Sequence, residues 1–412
     1  MARDDVLDQL RQTLDAVQPL PLGPEVIVGR AGRRRRRRRI RAAGTVLGLL
    51  AIGVVALAVL GGPSEGPLGP PTVKASARVV LPGEVIGTGD EVLDAAAAEG
   101  GYLWVLTCSA RCGGPPAEFE HSQGTLVKVD SETGAIVASA PVEGASVVAA
   151  GEGGVWTASF DGTVTHFDPQ TAKPLGSLHL SLPRPFGTNY PEAFWFLPNN
   201  IAVGEGAVWV STAREYVAEI DPHTSKVTRM IPTHFSVAGM AAGGGSVWLA
   251  AELFGLARID PKTGELSPTR AIDGADGRRL SMDYLALADG SLWARGGWAT
   301  PHGNGYVASP DGEALGLARV DLATGEVRKV IDFDRYIWVH AISDGRLWLS
   351  GQDSRAGSKD VYVFDPGASE VRLAARLAEP GTVIGAIGSS LWVARPGKVL
   401  ERYEIPPADS SE

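Results

Sequence analysis

A tryptophan recurs along this chain at intervals that few architectures can accommodate. Turns of the form G-x-hydrophobic-Trp, such as Gly206 to Trp209, place Trp104, Trp156, Trp209, Trp248, Trp293, Trp348 and Trp392 in one column, separated by 52, 53, 39, 45, 55 and 44 residues. Twelve positions after Trp156, Trp209 and Trp248 stand Asp168, Asp221 and Asp260, and Glu404 follows Trp392 by the same interval. Periods of about 40–45 residues built from short strands are the mark of propeller blades.

The composition agrees with an all-β chain. Gly 52 and Pro 28 punctuate short alternating apolar runs, and 44% of the 412 residues are hydrophobic. Each unit reads as an inner strand, a Gly-rich turn, a strand opening on Trp, a strand ending in Asp, a "DPKTG"-type turn and an outer strand. Seven positions before each Trp stand only small residues: Ala97, Ala149, Ala202, Ala241, Ala286, Ala341 and Gly385. Bare positions in one column suit inner strands crowded around an axis. The expectation is therefore a seven-bladed β-propeller over residues 76–404, followed by an unstructured tail at 405–412. The last unit lacks an outer strand, whereas "SARVVLPG" at 76–83 precedes the first unit, so the N-terminal segment is expected to close the ring and remove its free edge. The repeated Asp opens a hairpin turn, where its short side chain can accept from backbone N–H groups.

"VWVSTAREYVAEIDPHTSKVTRMIPT" resembles the YVTN-type repeat, and residues 76–404 are similar to the YVTN and quinoprotein-like (PQQ-like) propeller superfamily, including virginiamycin B lyase-like proteins. The resemblance implies the propeller fold and says little of function. Quinone-dependent relatives carry a Trp a few residues beyond the "D-x-x-T-G" turn. Here Asp130, Asp260 and Asp321 are followed at that distance by Ala138, Pro268 and Lys329, so no cofactor is expected. In the lyase-like relatives a His acts with acidic metal ligands near the axis. That set is not matched residue by residue, and no metal ligands are assigned.

The N-terminal part reads differently. Seven arginines, Arg33 to Arg39, and Arg41 precede an uncharged stretch, 42–62, of 21 residues. At about 1.5 Å per residue this spans a hydrocarbon core of about 30 Å as a single transmembrane helix. Eleven Arg precede it and the next basic residue is Lys74, which places the N-terminus in the cytoplasm and the propeller outside the plasma membrane. A cleaved signal peptide is the alternative to a signal-anchor, but a 40-residue leader before the apolar run is long for one. The arginines also suit anionic membrane lipid. Val6, Leu7, Leu10, Leu14 and Val17 share one face of a short helix in the tail (1–41), which either lies on the membrane or docks a cytoplasmic partner. Residues 63–75 form a Pro/Gly linker. Beyond residue 62 the formal charge is −15, because eleven of the 38 basic and five of the 47 acidic residues lie before it. Such a surface repels nucleic acid. On the exported side Cys108 and Cys112 can form a disulfide, contributing about 2 kcal/mol.

Function is expected where the scaffold is irregular. The tight turns fall on one face, and the long insertions, residues 107–123, 181–199, 272–283, 297–314 and 351–359, fall on the other. Their aromatics outside the Trp column, Tyr190, Trp195, Trp298, Tyr306, Tyr336 and Trp338, form the expected ligand-binding set. The reading is a membrane-anchored extracytoplasmic binding or sensor module for a protein, peptide or glycan of the envelope. The rival is a metal-assisted lyase or hydrolase using His340 with Asp332 or Asp334. His340 stands eight before Trp348, in a column otherwise filled by Ala96, Val148, Ile201, Met240, Leu285 and Ile384.

Overall fold

The computed structural model divides the chain into two units, residues 1–64 and 65–412. It describes residues 72–73, 77–80, 91–98, 100–108, 123–159, 161–180, 198–212, 215–251, 254–274, 276–288, 290–302, 305–308, 315–333, 337–343, 346–351, 358–365, 370–388, 390–395 and 399–404, all in the second unit. The tail 1–41, the stretch 42–62 and Cys112 lie outside these residues. Among the described residues no helix is long and apolar enough to cross a membrane.

The described residues are almost entirely strand, arranged as a β-propeller of six sheets. Sheet one pairs Glu91–Ala98, Tyr102–Cys108, Gln123–Asp130 and Ile136–Glu143. Sheet two pairs Ala145–Gly151, Gly154–Ser159, Thr163–Phe167 and Pro174–His179. Sheet three pairs Pro198–Gly204, Ala207–Thr212, Tyr216–Asp221 and Lys226–Pro232. Sheet four has three strands, Gly239–Gly243, Ser246–Ala250 and Leu256–Ile259. Its outer edge is reduced to the bridges Leu256↔Arg270 and Ile259↔Leu266, because Pro268 has no N–H to lend a ladder there. Sheet five pairs Arg279–Ala288, Ser291–His302, Leu315–Asp321 and Val327–Phe333, with Gly305–Ala308 added against Ser291–His302.

Sheet six corrects the expected count: the propeller has six blades, not seven. It joins Ile337–Ser343, Arg346–Gly351, Ser358–Asp365, Glu370–Ile387, Ser390–Arg395, Val399–Glu404 and Ala77–Val80 in one eight-stranded sheet, with Thr72–Val73 paired in parallel to Glu370–Ile387. Two Trp units share this sheet because no loop separates the outer strand of one from the inner strand of the next. The chain stays extended through Glu379-Pro380-Gly381, where the Arg395 guanidinium donates to both the Glu379 and Pro380 carbonyls. Closure by the N-terminal segment is observed, as Ala77, Arg78, Val79 and Val80 pair with Arg402, Glu401, Leu400 and Val399. The inner strands neighbour one another in chain order, and Glu370–Ile387 packs back against Glu91–Ala98.

The Trp column is the core of each sheet: Trp104, Trp156, Trp209 and Trp392 are fully buried and Trp293, Trp248 and Trp348 nearly so. Register explains the small residues that precede it. Ala149, Ala202, Ala241, Ala286, Ala341 and Gly385 each sit directly across the ladder from the Trp of their unit. A bulkier partner would contest the space of the indole. In the first unit the partner is Ala96 rather than Ala97.

The Asp turns behave as the repeat implies. Oδ1 of Asp130 accepts from the Glu132 and Thr133 N–H groups and from the Thr133 hydroxyl, and Asp168, Asp221, Asp260 and Asp321 repeat the backbone pattern. These bonds hold the five carboxyls below the usual carboxylate range, and for Asp321, where the Thr324 N–H is the main cause and Arg328 the next, down to about 2.

The same turns clasp the sheets together. At four of the turns, the residue two before the turn carboxylate and opposite the Trp ties its sheet, directly or through a neighbour, to the turn of the next. Lys128 Nζ donates to the Pro169 carbonyl at 2.8 Å, and His166 Nδ1 meets Ser225 Oγ at 3.1 Å. Glu219 holds Arg229, which donates to the Pro261 and Lys262 carbonyls. Arg402 completes the circuit on the Ser131 and Glu132 carbonyls of sheet one. On the same face the inner hairpins interlock, as Glu152 Oε1 accepts from the Gly206 N–H at 3.0 Å and Glu205 Oε1 from the Gly245 N–H at 2.9 Å.

Candidate functional site

Clasps occupy one face, so the opposite face and the axis are left for binding. Ser131 N–H donates to the Gly101 carbonyl, which places the Asp turns and the inner hairpins on the same side. Every connection between a Trp strand and the strand after it, and between an outer strand and the next inner strand, therefore leaves from the other side. The five long insertions are of these two kinds.

Within the ring lies a cavity of about 240 Å³ lined by Val147, Val148, Asn200, Ile201, Met240, Tyr284 and Leu285. These residues come from the inner strands of sheets two to five, at eight or nine positions before the Trp of each unit. Four belong to the column that singled out His340. His340 itself stands in Ile337–Ser343 where the register shifts between Val339 and Ala341. Comparable bulges lie between Ala145 and Val147, Pro198 and Asn200, and Met282 and Tyr284. A bulge bends the strand and re-aims its side chains. Asn200 Nδ2 is buried and has no hydrogen-bond partner.

The bulge residue of sheet five is charged. Asp283 pairs in a fork with Arg295, Nε to Oδ1 at 3.0 Å and the second nitrogen to Oδ2 at 2.7 Å. The Arg295 side chain is 4% exposed and that of Asp283 44%. Water thus reaches Asp283, yet surrounding protein disfavours its charge enough to push its carboxyl up, against the pull of Arg295.

Of the expected aromatic set, Trp298 is 3% exposed and belongs to a core cluster with Trp248, Leu280 and Met282. The insertion 272–283 folds over it: the Arg278 guanidinium lies 4.9 Å from its ring, and Asp273 forks to Arg279 at 2.7 and 3.2 Å. Tyr306 lies in the added hairpin, paired with Pro301. Trp338 and Asp332 lie in the strands Ile337–Ser343 and Val327–Phe333. Tyr190, Trp195, Tyr336 and Asp334 lie outside the described residues. Phe254, between Ser246–Ala250 and Leu256–Ile259, is 65% exposed on the insertion face and was not singled out by the repeat, since it falls in a short connection. Cys108 is buried, and among the described residues no cysteine is free.

No protein-family model matches the chain, and no curated protein matches it in sequence. Solved structures do. A chain of a mitotic checkpoint complex superposes with a TM-score of 0.56 at 10% identity, covering 87% of this chain and 100% of that one. The WD40 domain of Neurospora crassa Pan2 gives 0.55 at 12% identity, with 82% of this chain and 95% of that one covered. The WD40 domain of Toxoplasma gondii coronin gives 0.50 at 14% identity, with 82% and 89% covered. At these identities the likeness establishes the β-propeller fold.

Proposed function

We propose that this chain is an extracytoplasmic binding module, held at the plasma membrane by the uncharged stretch 42–62, that engages a protein partner with the insertion face of its propeller. One observation carries the reading. Side chains between the sheets engage hydrogen-bonding groups of the turn face, while the opposite face gathers the insertions and an exposed Phe254. A rigid scaffold with variable loops on one side is the usual seat of recognition. Exposed aromatics give contact area at low ordering cost, and Tyr190, Trp195, Tyr306, Tyr336 and Trp338 join Phe254 in this role. The formal charge of −15 beyond residue 62 disfavours nucleic acid and suits a basic or neutral partner surface. A Cys108–Cys112 disulfide would brace the first insertion.

The test is face-specific cross-linking in intact cells with the full chain. A photo-reactive residue at Phe254 is expected to capture a defined partner, and the same residue at Glu132, on the clasped turns, none. Equal capture from both positions refutes the assignment of the face. Protease added outside the cell should digest the propeller region; protection until the membrane is breached refutes the topology.

A further inference from the structure

The axial cavity holds more hydrogen-bonding capacity than the ring uses. The Asn200 Nδ2 group is buried with no partner. Register shifts fall immediately before three of the lining residues, Val147, Asn200 and Tyr284, where a bulge re-aims the side chains. Beside Asn200 and Tyr284 stand the aliphatic side chains of Val148, Ile201, Met240 and Leu285. A ligand complementary to this lining carries an acceptor for Asn200, such as an amide carbonyl, and an aliphatic surface.

Size and charge narrow the choice. At about 240 Å³ the space exceeds the ~150 Å³ that accommodates benzene and falls short of the ~300 Å³ at which drug-sized pockets begin. Among the described residues no charged side chain lines it, so an ionised ligand would lose hydration without a counter-charge. We infer that the cavity receives one neutral peptide unit bearing an aliphatic side chain, presented by the partner. This inference rests on the protein-binding reading of the insertion face.

The test titrates N-acetyl-leucine-N-methylamide into the detergent-solubilised full chain, followed by saturation-transfer NMR, with the glutamate analogue and glucose as comparisons. Saturable binding of the leucine compound is expected, with the glutamate analogue at least about tenfold weaker. Asn200→Leu should weaken binding by about tenfold, the equivalent of one hydrogen bond. Asn200→Asp keeps the shape of the side chain while removing the donor, and serves if the first variant fails to fold. No saturable binding, undiminished binding by a folded Asn200 variant, or glucose binding as well as the leucine compound overturns the inference. If cross-linking from Phe254 persists under those outcomes, the inference falls and the binding-module reading stands.

Discussion

Arg402 is the most informative single side chain in the ring, because its partners lie 271 and 270 residues away in sequence. It donates to the Ser131 carbonyl at 2.8 Å and to the Glu132 carbonyl, and it pairs with Glu404 at 2.8 Å. The side chain is 16% exposed and that of Glu404 46%. A hydrogen bond from a charged donor contributes about 1.5–3 kcal/mol, and water restores part of one at the exposed Glu132 turn, so Arg402→Ala should cost about 2–4 kcal/mol. The exposed pair with Glu404 adds less than about 1 kcal/mol. Arg376→Ala is the matched control: it breaks a forked contact to Asp360 at 2.8 and 3.4 Å, with Arg376 51% exposed, within a single sheet. That loss should stay below about 1 kcal/mol. Urea unfolding of the full chain, followed by tryptophan fluorescence, gives the midpoints. Amide exchange should rise in Val399–Glu404 and in its partner Ala77–Val80 for Arg402→Ala alone. Arg402→Lys keeps the charge without the planar fork and should fall between wild type and Ala. Equal midpoint shifts for Arg402→Ala and Arg376→Ala would refute the argument that the turn clasps, rather than surface charge pairs, hold the ring shut.

Three further outcomes follow from the same contacts. Lys128 is buried, lies 3.7 Å from the Tyr102 ring centre, and is pulled below its usual pKa by desolvation, so Lys128→Met, which strands the Pro169 carbonyl, should cost about 1–3 kcal/mol in the same urea assay. His166 stacks on Trp156 at 3.9 Å with Nε2 buried and unpartnered, and burial lowers its pKa below 6.5 against a smaller opposing pull from Asp168. The unfolded chain then binds the proton more readily, so His166's contribution is complete above pH 6.5 and declines as pH falls below it; His166→Phe should flatten the midpoint between pH 7 and 5, and an unchanged slope counts against this. Asp321, held at about 2 against an ordinary 3.8, stabilises the fold above pH 3.8 and loses that contribution as pH falls toward 2, so the acid midpoint of Asp321→Asn should vary less across that window than that of wild type.

The units were legible in sequence because one requirement, an indole buried opposite a residue with almost no side chain, repeats at every inner hairpin. Their number was not, because counting Trp residues counts hairpins, whereas sheets are delimited by where the ladder breaks. Between Glu370 and Ile387 it does not break, and no residue type there marks continuity in advance. The clasps had a readable signal that the apolar periodicity obscured. Lys128, His166, Glu219 and Arg402 all stand two before a turn carboxylate, polar residues in otherwise apolar strands. The site was the least legible part. A bulge shifts side-chain direction by one residue without changing composition, so Asn200 looked like any loop-proximal Asn until the register at Pro198 placed it on the cavity. At Trp298 the burial was not readable either, because an aromatic in an insertion need not face outward when the insertion folds back upon it.

The distribution of hydrogen bonds between the two faces has a functional consequence. The clasps tie the outer strands of one sheet to the next sheet's turn, so an insertion on the far side can lengthen or change sequence without loosening a joint between sheets. The bulges sit at the cavity level of inner strands whose other ends are locked by hairpins such as Gly151–Gly154 and Gly204–Ala207. If the joints were instead carried by the insertion face, mutations in the clasps would leave ring stability unchanged and changes in the insertions would unfold the ring. The reverse ordering of those two effects is the signature expected of a scaffold that separates holding itself together from holding something else.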